Sequence, residues 1–302
     1  MANRRAWYSW LLLILVLSAV TWLILHNLDE IARHNFRFKW RYLKLSFLFV
    51  SAAYLVMVFI WTRLTLSFGL DAPMLKAGKA WFLSQLGKYV PGKVTLLLVR
   101  LDTYRGYSKQ KIAVATGIEY IALLASASVL VLVALASASQ TVPYYIRWVA
   151  GVGAVLFLSL LWPPLLMRFV SWVCKLLARE PIEEFPPYGL LLRFVGAYMF
   201  TSLLHGMGLF FVLNSFSPVN FRYFLTITGA YYAAGLIGLS AVFAPSGIGV
   251  REGVLFLILP AFIPKPAVIV GVITMRLITT TAELFLAGVF VVADKIWAKR
   301  SK

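Results

Sequence analysis

Long apolar runs recur along the whole chain, and they decide the solvent in which it can fold. Of its 302 residues, 61% are hydrophobic and only 13% are charged, about half the charged share that is usual in a soluble domain. A chain with so few polar groups does not cover its own surface in water. Runs of about 20 apolar residues are long enough to cross a bilayer as helices. The sequence therefore predicts an all-α integral membrane protein.

The predicted architecture has about seven to eight transmembrane helices plus one or two broken or re-entrant helical hairpins. Two apolar stretches, 80–99 and 245–264, are interrupted by proline, glycine and charge. Seven continuous spans cannot leave both termini on the same side of the membrane, so one of the two interrupted stretches must also cross it. The stretch 245–264 is the better candidate for this crossing, and 80–99 is then re-entrant. The continuous apolar runs that predict spanning helices are 8–26, 45–68, 112–136, 147–170, 190–213, 222–243 and 267–293.

Loop charge predicts the orientation of the chain in the membrane. The connections 137–145 and 214–221 carry no charged residue, which places them outside, because cytoplasmic loops are enriched in Lys and Arg. The basic stretch 100–111, the basic C-terminal tail and the N-terminus are placed in the cytoplasm. The basic residues of 33–44 disagree with this orientation, because they then face outward.

The net charge of +18 raises the question of a nucleic-acid partner. Most basic residues, however, lie at the edges of apolar runs, where Lys and Arg reach lipid headgroups, so no nucleic acid is expected. The single Cys174 and the three histidines, His26, His34 and His205, have no metal-ligand spacing, and no cofactor is predicted. His205 is expected to be a packed polar residue rather than a proton relay.

A weak internal repeat is the most informative pattern along the chain. The segment 89–94 (YVPGKV) is similar to 243–248 (FAPSGI), and their prolines lie about half the chain apart. The sequence thus predicts one polytopic membrane domain, 1–302, with pseudo-repeats at about 8–136 and 190–293 and a connecting helix at about 147–170. Matching breaks in two halves of a membrane protein point to the binding site of a transporter.

The first break predicts an anion site. Pro91 lacks an amide hydrogen and disfavours helix before it, and Gly92 allows a ligand to approach the backbone closely. Exposed amides beside Lys88 and Lys93 are suited to a phosphate. The alternative is a plain cytoplasmic turn whose lysines only reach the headgroups.

The second break is more specific, because three glycines within seven residues make continuous helix in lipid unfavourable. Arg251 can grip a phosphate in a bidentate fashion, and Glu252 can pair with it or cap the next helix. The alternative is a cytoplasmic loop with a local ion pair. The remaining candidate substrate-binding residues of this break are Pro245, Ser246, Gly247 and Gly249.

Three charged residues, Glu119, Arg276 and Glu283, fall inside predicted membrane helices. A charge at mid-membrane costs about 2.5–3.5 kcal/mol, and such residues usually pair or face a pathway. We assign them to gating or charge compensation and predict that Glu119 pairs with Arg276. A purely structural ion pair is the alternative.

The stretch from Gly87 to Lys93, with Arg100 after it, and the stretch from Pro245 to Glu252 resemble the two signature regions of the lysylphosphatidylglycerol synthase transmembrane-region family. That family includes YbhN-like proteins and the flippase region of the multiple peptide resistance factor MprF. The resemblance implies a multi-pass location in the cell inner (cytoplasmic) membrane and translocation of lipids with modified headgroups. Ser246 departs from the family pattern, in which a glycine is often found. The soluble aminoacyl-transfer domain of the full synthase has no counterpart here, so enzyme activity is not expected.

These observations predict a flippase for an anionic or modified-headgroup lipid, such as a phospholipid, a glycolipid or a polyprenyl-phosphate lipid. The chain has no GxxxxGK[ST] motif, which argues against ATP as the direct driver. One alternative is a non-catalytic membrane partner of a lipid synthase or glycosyltransferase. The other is a membrane enzyme that acts on a lipid phosphate, for which the sequence offers neither a paired Asp motif nor a His cluster.

Overall fold

The computed structural model describes residues 38–89, 95–137, 144–176, 185–241 and 244–300, together with the single positions Ser18 and Leu25. Helices are the only regular secondary structure in these residues. From residue 38 onward the α-helices are α1 (Trp40–Leu66), α2 (Met74–Leu86), α3 (Thr95–Thr103), α4 (Lys109–Ser137), α5 (Tyr144–Leu160), α6 (Pro163–Leu176), α7 (Tyr188–Phe216), α8 (Phe224–Ser240), α9 (Val250–Ile258) and α10 (Lys265–Arg300). Short 3-10 turns lie at Gly87–Tyr89, Phe221–Tyr223, Pro245–Gly247 and Leu259–Ala261.

Within the described residues, four helices are long and apolar enough to cross a membrane: α1, α4, α7 and α10. A fifth crossing is present if α5 and α6, which are bent by 72° relative to each other, count as one span. The chain is therefore a multi-pass membrane protein, and its described part is all-helical. The predicted number of seven to eight spans is wrong for this part of the chain.

The difference in number has three local causes. The predicted helix 8–26 lies outside the described residues apart from two isolated positions. The run 147–170 bends at Trp162, ahead of two consecutive prolines. The run 222–243 forms α8, which has only 17 residues because Ala241 leaves the helical conformation (φ −75°, ψ 81°).

Helices α1 and α7 pack along each other in opposite directions and define the two ends of the helix bundle. The Lys39 amide, just before α1, donates to the Ser215 carbonyl at the end of α7 (3.3 Å). At the opposite ends, the rings of Phe68 and Phe185 meet edge-on, 6.2 Å between centroids. We call the end with Phe68 and Phe185 end I, and the end with Lys39 and Ser215 end II.

The first broken stretch is a hairpin that enters the bundle from end I and returns to it. Its arms are α2 and α3, with the turn Gly87–Tyr89 between them. Tyr107, which follows α3, donates its hydroxyl to the carbonyl of Asp71, which precedes α2 (3.2 Å). Helix α4 then starts at end I, where Lys111 Nζ donates to the Phe68 carbonyl (2.9 Å). We call this element hairpin I.

The second broken stretch is a hairpin that enters from end II. Its arms are α8 and α9, with the turn Pro245–Gly247 between them. The rings of Tyr223, which precedes α8, and Phe262, which follows α9, lie 5.3 Å apart. The prediction that 245–264 crosses the membrane is therefore wrong, because α8 is one arm of a hairpin rather than a separate span. We call this element hairpin II.

The same order of elements occurs twice: long helix, short helix, 3-10 turn, short helix, long helix. In the first half these are α1 to α4, and in the second half they are α7 to α10. The packing corresponds as well, since α4 packs against α8 and α10 packs against α2. The turns of the two hairpins contact each other. Two tips that enter from opposite ends thus meet inside the bundle.

Candidate functional site

At the tip of hairpin I, Lys88 forms an ion pair with Glu283 of α10. The Glu283 carboxylate is buried, with 2% of the residue exposed. The Tyr54 hydroxyl of α1 donates to the same carboxylate (2.9 Å). One buried carboxylate therefore joins three elements, and its charge is compensated by a lysine from the hairpin turn.

A line of aromatic rings connects this carboxylate to hairpin II. The ring of Tyr54 meets that of His205 edge-on, with 5.1 Å between centroids, and His205 stacks on Tyr231 of α8 at 6.5 Å. The guanidinium of Arg251 lies over the Tyr231 ring, 5.0 Å from its centroid. A cation over an aromatic face is attracted by the quadrupole of the ring. The line thus ends at an arginine of the second hairpin.

The turn of hairpin II depends on backbone in the left-handed region. Ser246 has φ 55° and Gly247 has φ 66°. A serine at such a φ is strained, whereas glycine adopts it without a steric cost. The chain then turns back so closely that a Cβ on Gly238 of α8 would lie 2.5 Å from Arg251 Cγ. The glycine at 238 therefore lets the Arg251 side chain pack flat against α8.

A small cavity of about 20 Å³ lies beside Arg251, between α8, α9 and α10. Glu252 caps α9 by accepting the Gly249 amide (2.7 Å), and its other oxygen lies 3.9 Å from an Arg276 guanidinium nitrogen. Two arginines and one capping carboxylate thus face one space, which suits an anionic group held by charge-assisted hydrogen bonds. The residues that line the cavity are Tyr231, Arg251, Glu252, Leu255, Val272, Met275, Arg276 and Thr279.

A second ion pair lies inside the first half, between Arg100 of α3 and Glu119 of α4. Arg100 is fully buried; its Nε donates to Ser84 (3.0 Å), and its guanidinium lies 3.9 Å from the centroid of the Trp61 ring. Glu119 accepts from the Trp81 indole (2.8 Å). Every partner in this cluster is part of the packed core.

The cluster around Arg100 also includes a neutral phenol. The indole of Trp61 donates to the Tyr104 hydroxyl (3.0 Å), and burial raises the pKa of Tyr104 to about 12. The phenol therefore keeps its proton at neutral pH and adds no charge beside the Arg100–Glu119 pair.

The predicted pairing of Glu119 with Arg276 is wrong, because each residue has a partner in its own half of the molecule: Glu119 pairs with Arg100, and Arg276 lies near Glu252. Arg100, placed in a cytoplasmic stretch on sequence grounds, is instead buried. In the sequence, Arg100 directly follows the apolar stretch 80–99, and this position could have indicated burial.

The structure brings together Lys88, Glu283, Arg251, Glu252 and Arg276 around the hairpin tips. Gly247 and Gly249 lie in the second turn, buried beside this group; Ser246 and Pro245 lie in the same turn. The candidate residues Pro91, Gly92 and Lys93 lie outside the described residues. Sequence analysis missed Tyr54 and Tyr231, since tyrosines in apolar helices carry no motif.

No family model and no curated protein matched this chain in our comparisons. Within the described part of the chain, no group of three or more His, Cys, Asp or Glu side chains is placed to hold a metal ion.

Proposed function

We propose that the protein is a transbilayer lipid transporter, a flippase, for a lipid with an anionic or modified headgroup. The observation that carries the proposal is the meeting of two oppositely entering hairpins, with Lys88, Arg251 and Arg276 gathered near their tips. Broken helices that meet near the midplane at the interface of two repeats are typical of transporter binding sites. The resemblance to the lysylphosphatidylglycerol synthase transmembrane-region family supports the same function.

In the proposed site, the headgroup binds at the wall of the cavity beside hairpin II, and the cavity widens to admit it, because its volume in this conformation holds about one water molecule. Arg251 is held over Tyr231 and has its stem packed on Gly238, so its position is fixed before the ligand arrives. Arg276 lies on the cavity wall 3.9 Å from Glu252. That distance is longer than a direct hydrogen bond, so the Glu252 carboxylate leaves the guanidinium close enough to the cavity for an anionic group to bind beside it.

The Lys88–Glu283 pair then acts as the gate between the two hairpins. Lys88 lies on the turn of hairpin I, and Glu283 is fixed in α10 by Tyr54. Separating them leaves a buried carboxylate uncompensated, which is unfavourable in a low-dielectric interior. A headgroup phosphate that pairs with Lys88 offsets part of this cost. Ligand binding is thereby coupled to movement of the tip of hairpin I.

We further propose that the two halves are inverted pseudo-repeats and that end I faces the cytoplasm of an inner membrane. The cations of end I outnumber those of end II, as cytoplasmic ends require. This orientation places the C-terminus in the cytoplasm, and the N-terminus too if 8–26 crosses. The described cations of end I are Arg63, Lys76, Lys79, Arg105, Lys109, Lys111, Arg168, Lys175, Arg193, Lys295 and Lys299, and those of end II are Lys39, Arg41, Lys44, Arg222 and Lys265.

The proposal is tested with the purified protein in vesicles that contain a trace of fluorescent phosphatidylglycerol or phosphatidylcholine. A membrane-impermeant reductant bleaches only the outer leaflet, so the extra bleached fraction reports transfer between leaflets. We expect transfer with the native protein and a loss of at least about tenfold with Arg251→Gln, the equivalent of about 1.4 kcal/mol. The matched control is Arg222→Gln, which removes an exposed cation of end II away from the cavity.

The same vesicles distinguish the alternatives. Chemical conversion of a lipid phosphate, detected by mass spectrometry of the extracted lipids, would favour a membrane enzyme. No transfer and no conversion by protein that is folded, as judged by its thermal unfolding, would favour a non-catalytic partner of a synthase or glycosyltransferase. Equal transfer by native and Arg251→Gln protein would remove the proposed headgroup site.

A further inference from the structure

Helix α6 differs from the spanning helices in having three distinct faces. Its protein-facing residues, Leu166, Val170 and Cys174, repeat every four positions and are buried. Its exposed apolar residues form a second face, and its exposed cations form a third, about a quarter turn away at 3.6 residues per turn. The apolar face is Leu165, Phe169, Trp172 and Leu176, and the polar face is Arg168, Ser171 and Lys175; Met167, 38% exposed, lies between the polar face and the buried face.

The contacts at the two ends of α6 fix its direction. At its start, the rings of Trp162 and Tyr188 lie 5.1 Å apart, and Tyr188 is the first residue of α7. Near its end, Gln110 in the first turn of α4 donates to Cys174 Sγ (3.3 Å). Both α4 and α7 begin at end I, so α6 runs from the start of one span to the start of another. It therefore lies along end I instead of continuing α5 across the membrane.

We propose that α6 is an interfacial helix that binds the anionic surface of the leaflet at end I. A helix in this place needs an apolar face toward the acyl chains and a cationic face toward the headgroups, and α6 has both, with its third face on the protein. Trp162 and Trp172 are 53% and 59% exposed, and tryptophan favours the boundary between headgroups and hydrocarbon. The partner is an anionic phospholipid, because Arg168 and Lys175 present two cations to it.

The depth of α6 is tested by spin labels in nanodiscs. Cys174 is the single cysteine, so Cys174→Ser gives a background for Phe169→Cys, Ser171→Cys and Lys175→Cys. We expect the Phe169 label to be accessible to oxygen and shielded from a water-soluble nickel chelate, and the other two to show the reverse. If all three labels are shielded from the chelate, α6 crosses the membrane. If all three are accessible to the chelate, α6 lies in water. Either result would overturn the proposal.

The lipid preference is tested with a fluorophore at Phe169→Cys and brominated lipids at equal mole fraction. We expect brominated phosphatidylglycerol to quench more than brominated phosphatidylcholine by about twofold, because each surface cation attracts anionic lipid. The preference should disappear in the Arg168→Gln/Lys175→Gln double variant. A label at Phe200→Cys, an exposed position in the middle of α7, reports bulk lipid and should show no preference. Equal quenching of the Phe169 label by both lipids would refute the anionic partner.

Discussion

The two halves of the molecule place an ion pair in the same position, between the second arm of the hairpin and the long helix that follows it. In the first half the pair is Arg100–Glu119, fully surrounded by core side chains. In the second half it is Glu252–Arg276, 3.9 Å apart on the wall of a cavity. The same architecture thus holds a closed pair in one half and an open pair in the other. We infer that the first stabilises the fold and the second is available to a ligand.

The largest effect is expected for breaking the closed pair. Arg100→Leu leaves the Glu119 carboxylate buried without its counter-charge, which costs about 3–5 kcal/mol of unfolding free energy. The Arg100→Leu/Glu119→Leu double variant should recover most of this loss, because replacing both charges by apolar groups is close to neutral. Thermal unfolding of the detergent-purified proteins measures both. A single variant as stable as the native protein would contradict a structural role.

Removing the charge of Arg276 from the Glu252–Arg276 pair should affect transport rather than stability. Arg276→Gln is expected to change the unfolding free energy by less than about 1 kcal/mol, because its contact with Glu252, at 3.9 Å, is longer than a direct hydrogen bond. Transfer of fluorescent phosphatidylglycerol should fall by about tenfold, and Arg276→Lys should restore part of it. If Arg276→Gln unfolds as readily as Arg100→Leu, the two pairs do not differ in role.

A smaller effect is expected when Arg251 is displaced without losing its charge. Gly238→Ala puts a methyl group 2.5 Å from Arg251 Cγ, so the side chain must move away from α8. We expect a few-fold drop in lipid transfer, in the vesicle assay above, from the loss of positioning. Gly253→Ala is the matched control, because a Cβ at Gly253 meets no atom within 4 Å. Equal transfer by both variants would show that Arg251 need not be held in place.

The smallest effect is expected at the turn of hairpin II. Ser246 has φ 55°, a conformation that costs a residue with a Cβ about 1–2 kcal/mol relative to glycine. Ser246→Gly should therefore raise the unfolding free energy by up to about that amount, whereas Ser246→Val should lower it, because a β-branched side chain is more crowded in this conformation than serine. Thermal unfolding distinguishes the two, and equal stability of the valine and glycine variants would argue against the left-handed turn.

Some of these features follow from the sequence and others do not. The break at Pro245–Gly247 was predicted because proline and glycine disfavour a helix locally. The pairing of Glu119 with Arg100 was not predicted, because it depends on how hairpin I folds back. The second arm of that hairpin carries Arg100 and brings it to α4. Hydropathy likewise marks α8 as apolar, but it does not distinguish a short arm surrounded by protein from a span surrounded by lipid.

The most direct test of the central claim is the identity of the molecule that contacts the cavity wall. A photo-crosslinking amino acid at Thr279, which lines the cavity, is activated in membranes of mixed lipid composition, and the adduct is identified by mass spectrometry. Leu277 on the same helix is 64% exposed on the outer surface and serves as the control. We predict that the adduct at position 279 is enriched in anionic or modified-headgroup lipid relative to position 277. Adducts of identical lipid composition at both positions, or none at 279, would contradict the account.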